Sequence, residues 1–235
     1  MSFIESVSAG EMAAVDQAMF SHCGLDVLQV MEVAGRAVAV WIRQDVFDHD
    51  CQGRRIAVLY GSGGNGGDAL VAARYLAGWG ARPVLIGSSL PAPGTPAAVQ
   101  HQIAHRLNIP EVDNDWNAAD RCDLIVDGLL GFGSHGAPRG MAARLIETAN
   151  QSPAPVVAID IPSGLDATTG EVYTPCVEAM ATVTLGLAKT GLLTESGRRV
   201  AGRVIVADIG IPAAAFVTAG VQPPTWFWQS DFQEI

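Results

Sequence analysis

The sequence predicts an α/β fold in which a mostly parallel β-sheet is covered by helices on both faces. Short, almost entirely apolar runs alternate with longer helical patterns along most of the chain. Strands buried on both sides in a parallel sheet have this apolar character, and the helices supply the crossover connections. With 235 residues, 49% of them hydrophobic and 16% charged, the chain can bury one large core. These values exclude a globally disordered chain and a disulfide-dense mini-protein.

The elements follow in order from local signals. Ser8 and Glu11 have the spacing of a capping box, which predicts a helix to about Phe20. A second helix is predicted over residues 27–45, after which the pattern changes. The predicted strands are residues 55–60, 83–87, 123–127, 156–160, 181–186 and 203–208. The predicted helices between them are residues 68–79, 96–107 and about 141–150. Residues 1–212 are predicted to form one domain, and residues 213–235, with two prolines and an aromatic cluster, a docking tail or a linker remnant.

Charge and cysteine content exclude further classes of protein. Lys and Arg number 14 against 24 Asp and Glu, which gives a net charge of −10. This excess of acid disfavours binding to nucleic acids or anionic membranes, so backbone amides or a single cation would have to hold any phosphate. The four cysteines have no CxxC spacing, which favours reduced thiols over a disulfide framework or a metal site. The chain has neither a secretory signal pattern nor an apolar run long enough for a membrane span, so we expect a soluble, cytoplasmic protein.

Unusual residues follow four of the predicted strands. Glycine-rich or polar segments occupy residues 61–68, 128–140, 160–166 and 187–189. Because ligands bind beyond the carboxyl ends of the strands in open parallel sheets, these segments predict one shared crevice.

The first of these segments matches the G-x-G-x-x-G pattern through Gly61, Gly63 and Gly66. Such glycines let the backbone approach a pyrophosphate at the amino terminus of a helix, although a tight strand-to-helix turn would explain them equally well. A redox NAD domain also has an acidic residue about 20 positions further on for the ribose. The next strand ends in GSSLP and has none, which argues against an NAD-linked oxidoreductase. No lysine follows the glycines, so the segment is not a P-loop.

Asn65, Asp127 and Ser163 each follow a different strand and offer an amide oxygen, a carboxylate and a hydroxyl. Hard oxygen ligands with one negative charge suit a weakly charged cation better than a divalent ion. Taken alone, each residue is better explained as a helix or turn cap.

Asp160, at a strand end, is a candidate for proton transfer, with a simple cap as the alternative. Lys189 is the sole lysine of the chain and is a candidate partner for an anionic group. Ser163 lies in I-P-S-G-L rather than in a G-x-S-x-G elbow, which makes a hydrolase nucleophile unlikely. The i, i+4 pair His101 and His105 is interpreted as a solvated helix face, because no acidic residue is in phase with it.

Six segments together resemble the NAD(P)H-hydrate epimerase family, the YjeF N-terminal domain. The glycine segment GSGGNGGDA is similar to the family's GPGNNGGDG signature, and VMEVAGRAV is similar to LMENAGRA. The other four are DGLLGFGSHGAPRG, DIPSGLDATTG, TLGLAKTGLL and AGRVIVADIGIP. The resemblance extends over residues 8–212 in family order.

The resemblance implies a Rossmann-like three-layer α-β-α sandwich that interconverts the R and S forms of NADHX or NADPHX at C6 of the nicotinamide ring. It implies catalytic roles for Asp160 and Lys189 and a potassium ion held by Asn65, Asp127 and Ser163. The implied substrate-binding residues are Gly64, Asn65, Gly66, Gly67, Asp68, Gly131, Phe132, Gly133, Ser134, His135, Gly136, Ala137 and Asp160. It further implies a homodimer and a functional partner, an NAD(P)HX dehydratase.

Two positions depart from the family pattern: Gly64 and Val33 stand where the family has asparagines. Both are expected to remove a polar side chain near the ligand. A non-catalytic dinucleotide-binding or scaffold module of the same family is therefore the alternative to the enzyme.

Overall fold

Helices and strands alternate along the chain as the sequence predicts. The computed structural model describes residues 6–112, 122–224 and 230–235. The strands are β1 (Ser6–Val7), β2 (Arg55–Tyr60), β3 (Arg82–Gly87), β4 (Leu124–Gly128), β5 (Val156–Ile159), β6 (Ala181–Leu185), β7 (Ala188–Lys189), β8 (Arg203–Ala207) and β9 (Phe232–Glu234). The helices are α1 (Ala9–Ser21), α2 (Val27–Trp41), a π-helical turn (Ile42–Val46), α3 (Gly64–Gly78), α4 (Pro96–Arg106), α5 (Gly140–Gln151), α6 (Thr190–Leu193), α7 (Glu195–Ala201) and α8 (Ala213–Ala219).

The central sheet has seven strands in the order β3-β2-β4-β5-β6-β8-β9. Six of them are parallel, and β9 is antiparallel to β8. The strand order reverses at β2, because β3 lies on one side of it and β4 on the other. The segments after β2 and β4 begin side by side, since Tyr60 pairs with Gly128. A crevice is expected at such a reversal of strand order.

Helices cover both faces of the sheet, which confirms the predicted three-layer sandwich. Side chains alternate along each strand, so Ile56 and Val58 pack with α1, α2 and α3 while Ala57 and Leu59 face the opposite layer. That opposite layer includes α5 through Ile146. Burial on both faces explains why the strands read as continuous apolar runs in the sequence.

The ends of α1, α2 and α3 differ in how well local signals predicted them. The Ser8–Glu11 capping box is present, and α2 begins with a second one at Asp26. The predicted start of α3 at Asp68 is wrong, because the helix begins at Gly64. Glycines are poor helix formers, but here close packing favours them. A Cβ on Gly67 would lie 2.4 Å from the Met31 side chain of α2.

The described residues beyond Pro212 join the same fold. Helix α8 packs against α1, and β9 extends the sheet by pairing with β8. Arg203 on β8 donates to both carboxylate oxygens of Glu234 on β9, at 2.9 and 2.7 Å. The structure therefore differs from the predicted separate tail, since α8 buries apolar residues such as Phe216 against the core. The aromatic cluster at residues 226–228 lies outside the described residues.

All four cysteines are free thiols. Among the described helices, none has the length and apolar character that a membrane-spanning segment requires.

Candidate functional site

A cavity of about 570 Å³ lies at the carboxyl ends of the strands, where the order of the sheet reverses. Its polar and glycine-rich wall is formed by the segments after the strands that the sequence analysis predicted to share a crevice. The predicted site residues that line it are Gly64, Asn65, Asp68, Gly131, Phe132, Gly133, Ser134, Asp160 and Lys189. Helices α1 and α2 close the apolar side with Met12, Phe20, Val30 and Met31.

The remaining predicted residues lie outside this wall. Gly66 packs against the backbone of Gly61, and Gly67 packs against Met31 of α2. Asp127 and Ser163 are fully buried. His135, Gly136 and Ala137 lie further along the loop after β4, and the His135 side chain is 74% exposed.

The glycine segment is shaped by close backbone contacts and opens toward the cavity. A Cβ on Gly61 would lie 2.0 Å from the Leu129 carbonyl oxygen, and one on Gly66 would lie 1.9 Å from the carbonyl oxygen of Gly61. Gly63 and Gly64, in contrast, have open space around the Cβ position. The first amides of α3 begin at this open edge, and a helix amino terminus attracts anions. The segment can therefore hold a pyrophosphate.

The three oxygen-bearing residues predicted as cation ligands do come together. Ser163 Oγ donates to Asp127 Oδ1 at 2.7 Å, and the Ser163 amide donates to Asp127 Oδ2 at 2.8 Å. Asn65 Nδ2 donates to the Leu130 carbonyl at 2.9 Å, and the Leu130 amide donates to Ser163 Oγ. The amide oxygen of Asn65 is buried and has no hydrogen-bond partner in the described part of the chain.

That unpartnered oxygen and the buried carboxylate of Asp127 fit a cation. Burial raises the pKa of Asp127 to about 6, against the lowering effect of its hydrogen bonds from Ser163 and Leu129. An unpaired buried acceptor costs free energy, and so does an uncompensated buried charge. A monovalent cation beside the Asn65 and Asp127 oxygens would offset both costs.

Asp160 and Lys189 form a buried ion pair at the cavity wall. Lys189 Nζ lies 2.5 Å from Asp160 Oδ1 and also donates to the Leu185 carbonyl at 2.8 Å. The two side chains are 5% and 1% exposed. Asp160 follows β5 directly and has a φ of 68°, a left-handed conformation that aspartate tolerates better than most residues. Its Oδ2 accepts no hydrogen bond from the described residues and is free for a ligand.

Two further carboxylates face the same cavity. Burial raises the pKa of Asp68 well above its ordinary value, and the negative charges of Asp160 and Asp16 add to this effect. Burial likewise raises the pKa of Asp16 to about 6, although Lys189 opposes the change. The carboxyl groups of Asp16, Asp68 and Asp160 thus share one ammonium group, and a ligand that carries or develops positive charge would stabilise their ionised forms.

Sequence reasoning missed Asp16. The residue lies on α1 between Met12 and Phe20, at i+4 and i−4, and all three line the cavity. An acidic residue within an otherwise apolar helical stripe is the signal that could have identified it.

The two departures from the family pattern differ in their consequences. Val33 is 44% exposed and lies outside the cavity, so the expectation that it removes a ligand contact is wrong. Helix α2 instead presents Val30, Met31 and Ala34 to the cavity, because residues spaced by three and four share one helix face. Gly64 does lie on the wall, where its open edge leaves the backbone amide accessible.

The interpretation of His101 and His105 as a solvated helix face is also wrong. His101 is only 16% exposed at its side chain, and the Nε2 atoms of both histidines contact Glu111. Glu111 follows α4 and contacts both histidines because the chain reverses direction after the helix. Helix periodicity alone could not indicate this contact.

Residues 27–191 match the family described as YjeF-related protein N-terminus. An NAD(P)H-hydrate epimerase of Limosilactobacillus fermentum is 39% identical over 206 residues, which cover 87% of this chain and 96% of the relative. A bifunctional NAD(P)H-hydrate repair enzyme Nnr of Moorella thermoacetica is 35% identical over 90% of this chain. The chain spans 42% of the length of that bifunctional relative.

The fold is similar to a crystal structure of the yeast protein YNL200c. The two share a TM-score of 0.82 and 23% identity, over 99% of this chain and 100% of the yeast chain.

Proposed function

The chain belongs to the YjeF-related protein N-terminus family, and we propose that it interconverts the R and S epimers of NADHX and NADPHX at C6 of the nicotinamide ring. The cavity itself carries this proposal. It combines a helix amino terminus that suits a pyrophosphate with a buried Asp160–Lys189 pair that suits proton transfer. Relatives named for this activity are similar over most of the chain.

The two ends of the cavity suggest how the dinucleotide lies. The pyrophosphate would bind at the amides after Gly63, where the α3 amino terminus is open. The hydrated nicotinamide ring would then lie toward Asp160, Asp68 and the Phe132 ring. Lys189 Nζ lies 5.6 Å from the centre of the Phe132 ring, so one wall of this region is aromatic.

The C6 hydroxyl belongs to a hemiaminal, which defines the chemistry that is needed. The hydroxyl accepts one proton and leaves as water, while the N1 lone pair forms the C6=N1 bond of a planar cation. Water then adds to the opposite face of C6 and releases one proton. Asp160 Oδ2, which accepts no hydrogen bond from the described residues, would accept or return this proton.

The charge of the cavity assists the same step. The planar ring carries a positive charge that the ground state lacks. Above the Asp16 pKa of about 6, the carboxylates of Asp16 and Asp160 face it with the one ammonium group of Lys189. Fixed opposite charge in a buried site stabilises such a transition state more than the ground state. Asp68, whose pKa burial raises well above its ordinary value, keeps its proton to higher pH than an exposed aspartate and is the second candidate for proton exchange.

We also propose that potassium binds at Asn65, Asp127 and Ser163. The unpartnered Asn65 oxygen and the buried Asp127 carboxylate support this assignment. The ion would supply a fixed positive charge that orders the segments after β2, β4 and β5.

Potassium is expected to stabilise the protein in a pH-dependent way. Because the pKa of Asp127 is about 6 in the folded state against an ordinary 3.8, the folded state binds more protons between these values. Without a bound cation, stability therefore falls as the pH rises from about 4 through about 6. Asp16 contributes in the same direction. The melting temperature in potassium chloride should exceed that in choline chloride by several degrees at pH 7.5 and by much less at pH 5.

The Asn65→Ala variant serves as the control for this measurement, because it removes the free amide oxygen and should abolish the difference between the two salts. Equal melting temperatures of the unmodified protein in both salts at pH 7.5 would exclude the potassium site.

The activity itself is tested by epimer exchange. The purified chain is mixed with both epimers of NADPHX and a dehydratase specific for the S form, and loss of the R form is followed. We expect R to disappear faster than in the absence of the chain. Loss at the spontaneous rate, with dinucleotide still bound, would support the binding or scaffold module instead.

The proposed reaction would supply one of the epimers to an NAD(P)HX dehydratase, which would consume it. Bifunctional relatives carry the name of a repair enzyme and are more than twice the length matched here. A homodimer and a cytoplasmic location stay predictions from the resemblance.

A further inference from the structure

A cluster of two histidines and one glutamate lies at the edge of the sheet, outside the cavity. His101 and His105 are one turn apart on α4 and point from the same face of the helix. Glu111 is reached after the chain reverses beyond α4. It forms a β-bridge with Leu85 of β3, and flanking backbone hydrogen bonds at 2.8 and 3.0 Å hold it there.

The three potential ligand atoms converge on a common point. His101 Nε2 lies 3.0 Å from Glu111 Oε2, and His105 Nε2 lies 2.6 Å from the same oxygen. The two Nε2 atoms are 3.3 Å apart. In a tetrahedral zinc site with bonds of about 2.0 Å, ligand atoms are separated by roughly 3.3 Å. A side-chain adjustment of a few tenths of an ångström would bring the cluster to these distances.

A second group orients the glutamate. The Tyr60 hydroxyl donates a short hydrogen bond to Glu111 Oε1 and also lies 3.1 Å from His101 Nε2, while Glu111 Oε2 faces the two imidazoles. Carboxylates that bind metals are usually held in this way by a neighbouring donor. Tyr60 is the last residue of β2, so its position is set by the sheet rather than by a loop.

Burial leaves one side of the cluster open. The side chains of His101 and Glu111 are 16% and 17% exposed, whereas that of His105 is 51% exposed. An ion could therefore enter from the His105 side and keep a water molecule as its fourth ligand. Imidazole with a carboxylate is a donor set for zinc and related transition metals rather than for potassium or magnesium.

We propose that His101, His105 and Glu111 bind one zinc ion, or a transition metal of similar preference, at a site independent of the cavity. The ion would join α4 to the segment that follows it and to β3. Bound only in the folded state, it would raise the free energy of unfolding in proportion to the logarithm of its concentration.

The test is zinc binding to the untagged chain, first treated with a chelator, by calorimetry at pH 7.5. We expect one zinc ion per chain, no binding of magnesium at the same concentrations, and a higher melting temperature with zinc. Cobalt at the same site should give the visible absorption of tetrahedral coordination.

The variants His101→Gln and His105→Gln should weaken zinc binding by at least about 100-fold, and Tyr60→Phe by about 10-fold to 100-fold through loss of orientation. His22→Gln is the matched control, because His22 is exposed and lies apart from the cluster. Circular dichroism of each variant without zinc establishes that it is folded. Zinc binding that is equal in the unmodified protein and in a folded His101→Gln/His105→Gln double variant would overturn the proposal, and so would a failure of the unmodified protein to bind zinc.

Discussion

Replacing Asp160 with asparagine should reduce epimerisation by about 10²-fold to 10⁴-fold, the usual contribution of a positioned acid or base. The amide cannot accept and return a proton as the carboxylate can, but it keeps the shape of the side chain. Asparagine also tolerates the left-handed backbone at this position, where φ is 68°. The rate of R-epimer loss, measured with the S-specific dehydratase, is the readout, and dinucleotide affinity should change little.

Asp208→Asn is a suitable control for this variant. Asp208 also follows a strand of the sheet, β8, but its carboxylate accepts from the Gly210 amide and lies outside the cavity wall. Its replacement should leave the rate unchanged. Turnover of Asp160→Asn at the rate of the unmodified protein would remove Asp160 from the mechanism.

Replacing Lys189 with methionine should have the largest effect on stability. The Lys189 side chain is 1% exposed and its Nζ lies 2.5 Å from Asp160 Oδ1, so its loss leaves a buried carboxylate without its partner. Breaking a buried pair in this way typically costs about 3–5 kcal/mol. Denaturant unfolding monitored by circular dichroism measures the change.

The double variant Lys189→Met/Asp160→Asn distinguishes the ion pair from simple packing. With both charges removed, neither group is left buried and unpaired, so the double variant should be more stable than Lys189→Met alone. If the destabilisation of the two single variants simply adds in the double variant, the pair is not a coupled unit.

Lys189 also controls the charge of the other cavity carboxylates. It lowers the pKa of both Asp16 and Asp68, and its removal should raise both further. A folded Lys189→Met protein should therefore have an activity profile whose acidic limb lies at higher pH than in the unmodified protein.

The site depends on where the sheet reverses its order. The loops after β2 and β4 start side by side and stay in contact, since Asn65 donates to the Leu130 carbonyl, and Asp160 follows the neighbouring strand β5. Lys189 reaches the same point from β7, which pairs in parallel with β1 at the amino terminus. A short parallel contact between distant segments thus positions the one lysine that faces Asp160.

The sequence by itself determined the fold class, the six parallel strands and the segments that build the cavity. Apolar runs indicate strands that are buried on both faces, and glycines indicate sites of close backbone approach. Both signals can be read from residues that are neighbours in the chain. The motifs around Asn65, Asp127, Asp160 and Ser163 are also sufficient to indicate the family.

Only the tertiary structure decided which side chains share a point in space. It brought Asp16 from α1 to the cavity, placed Val33 away from it and joined Glu111 to the two histidines. It also began α3 at Gly64, because contacts with α2 and the loop after β2 outweigh the weak helix propensity of glycine. Such contacts join residues that are far apart in the chain. Their energies depend on burial and on neighbouring charges, which a local sequence pattern does not contain.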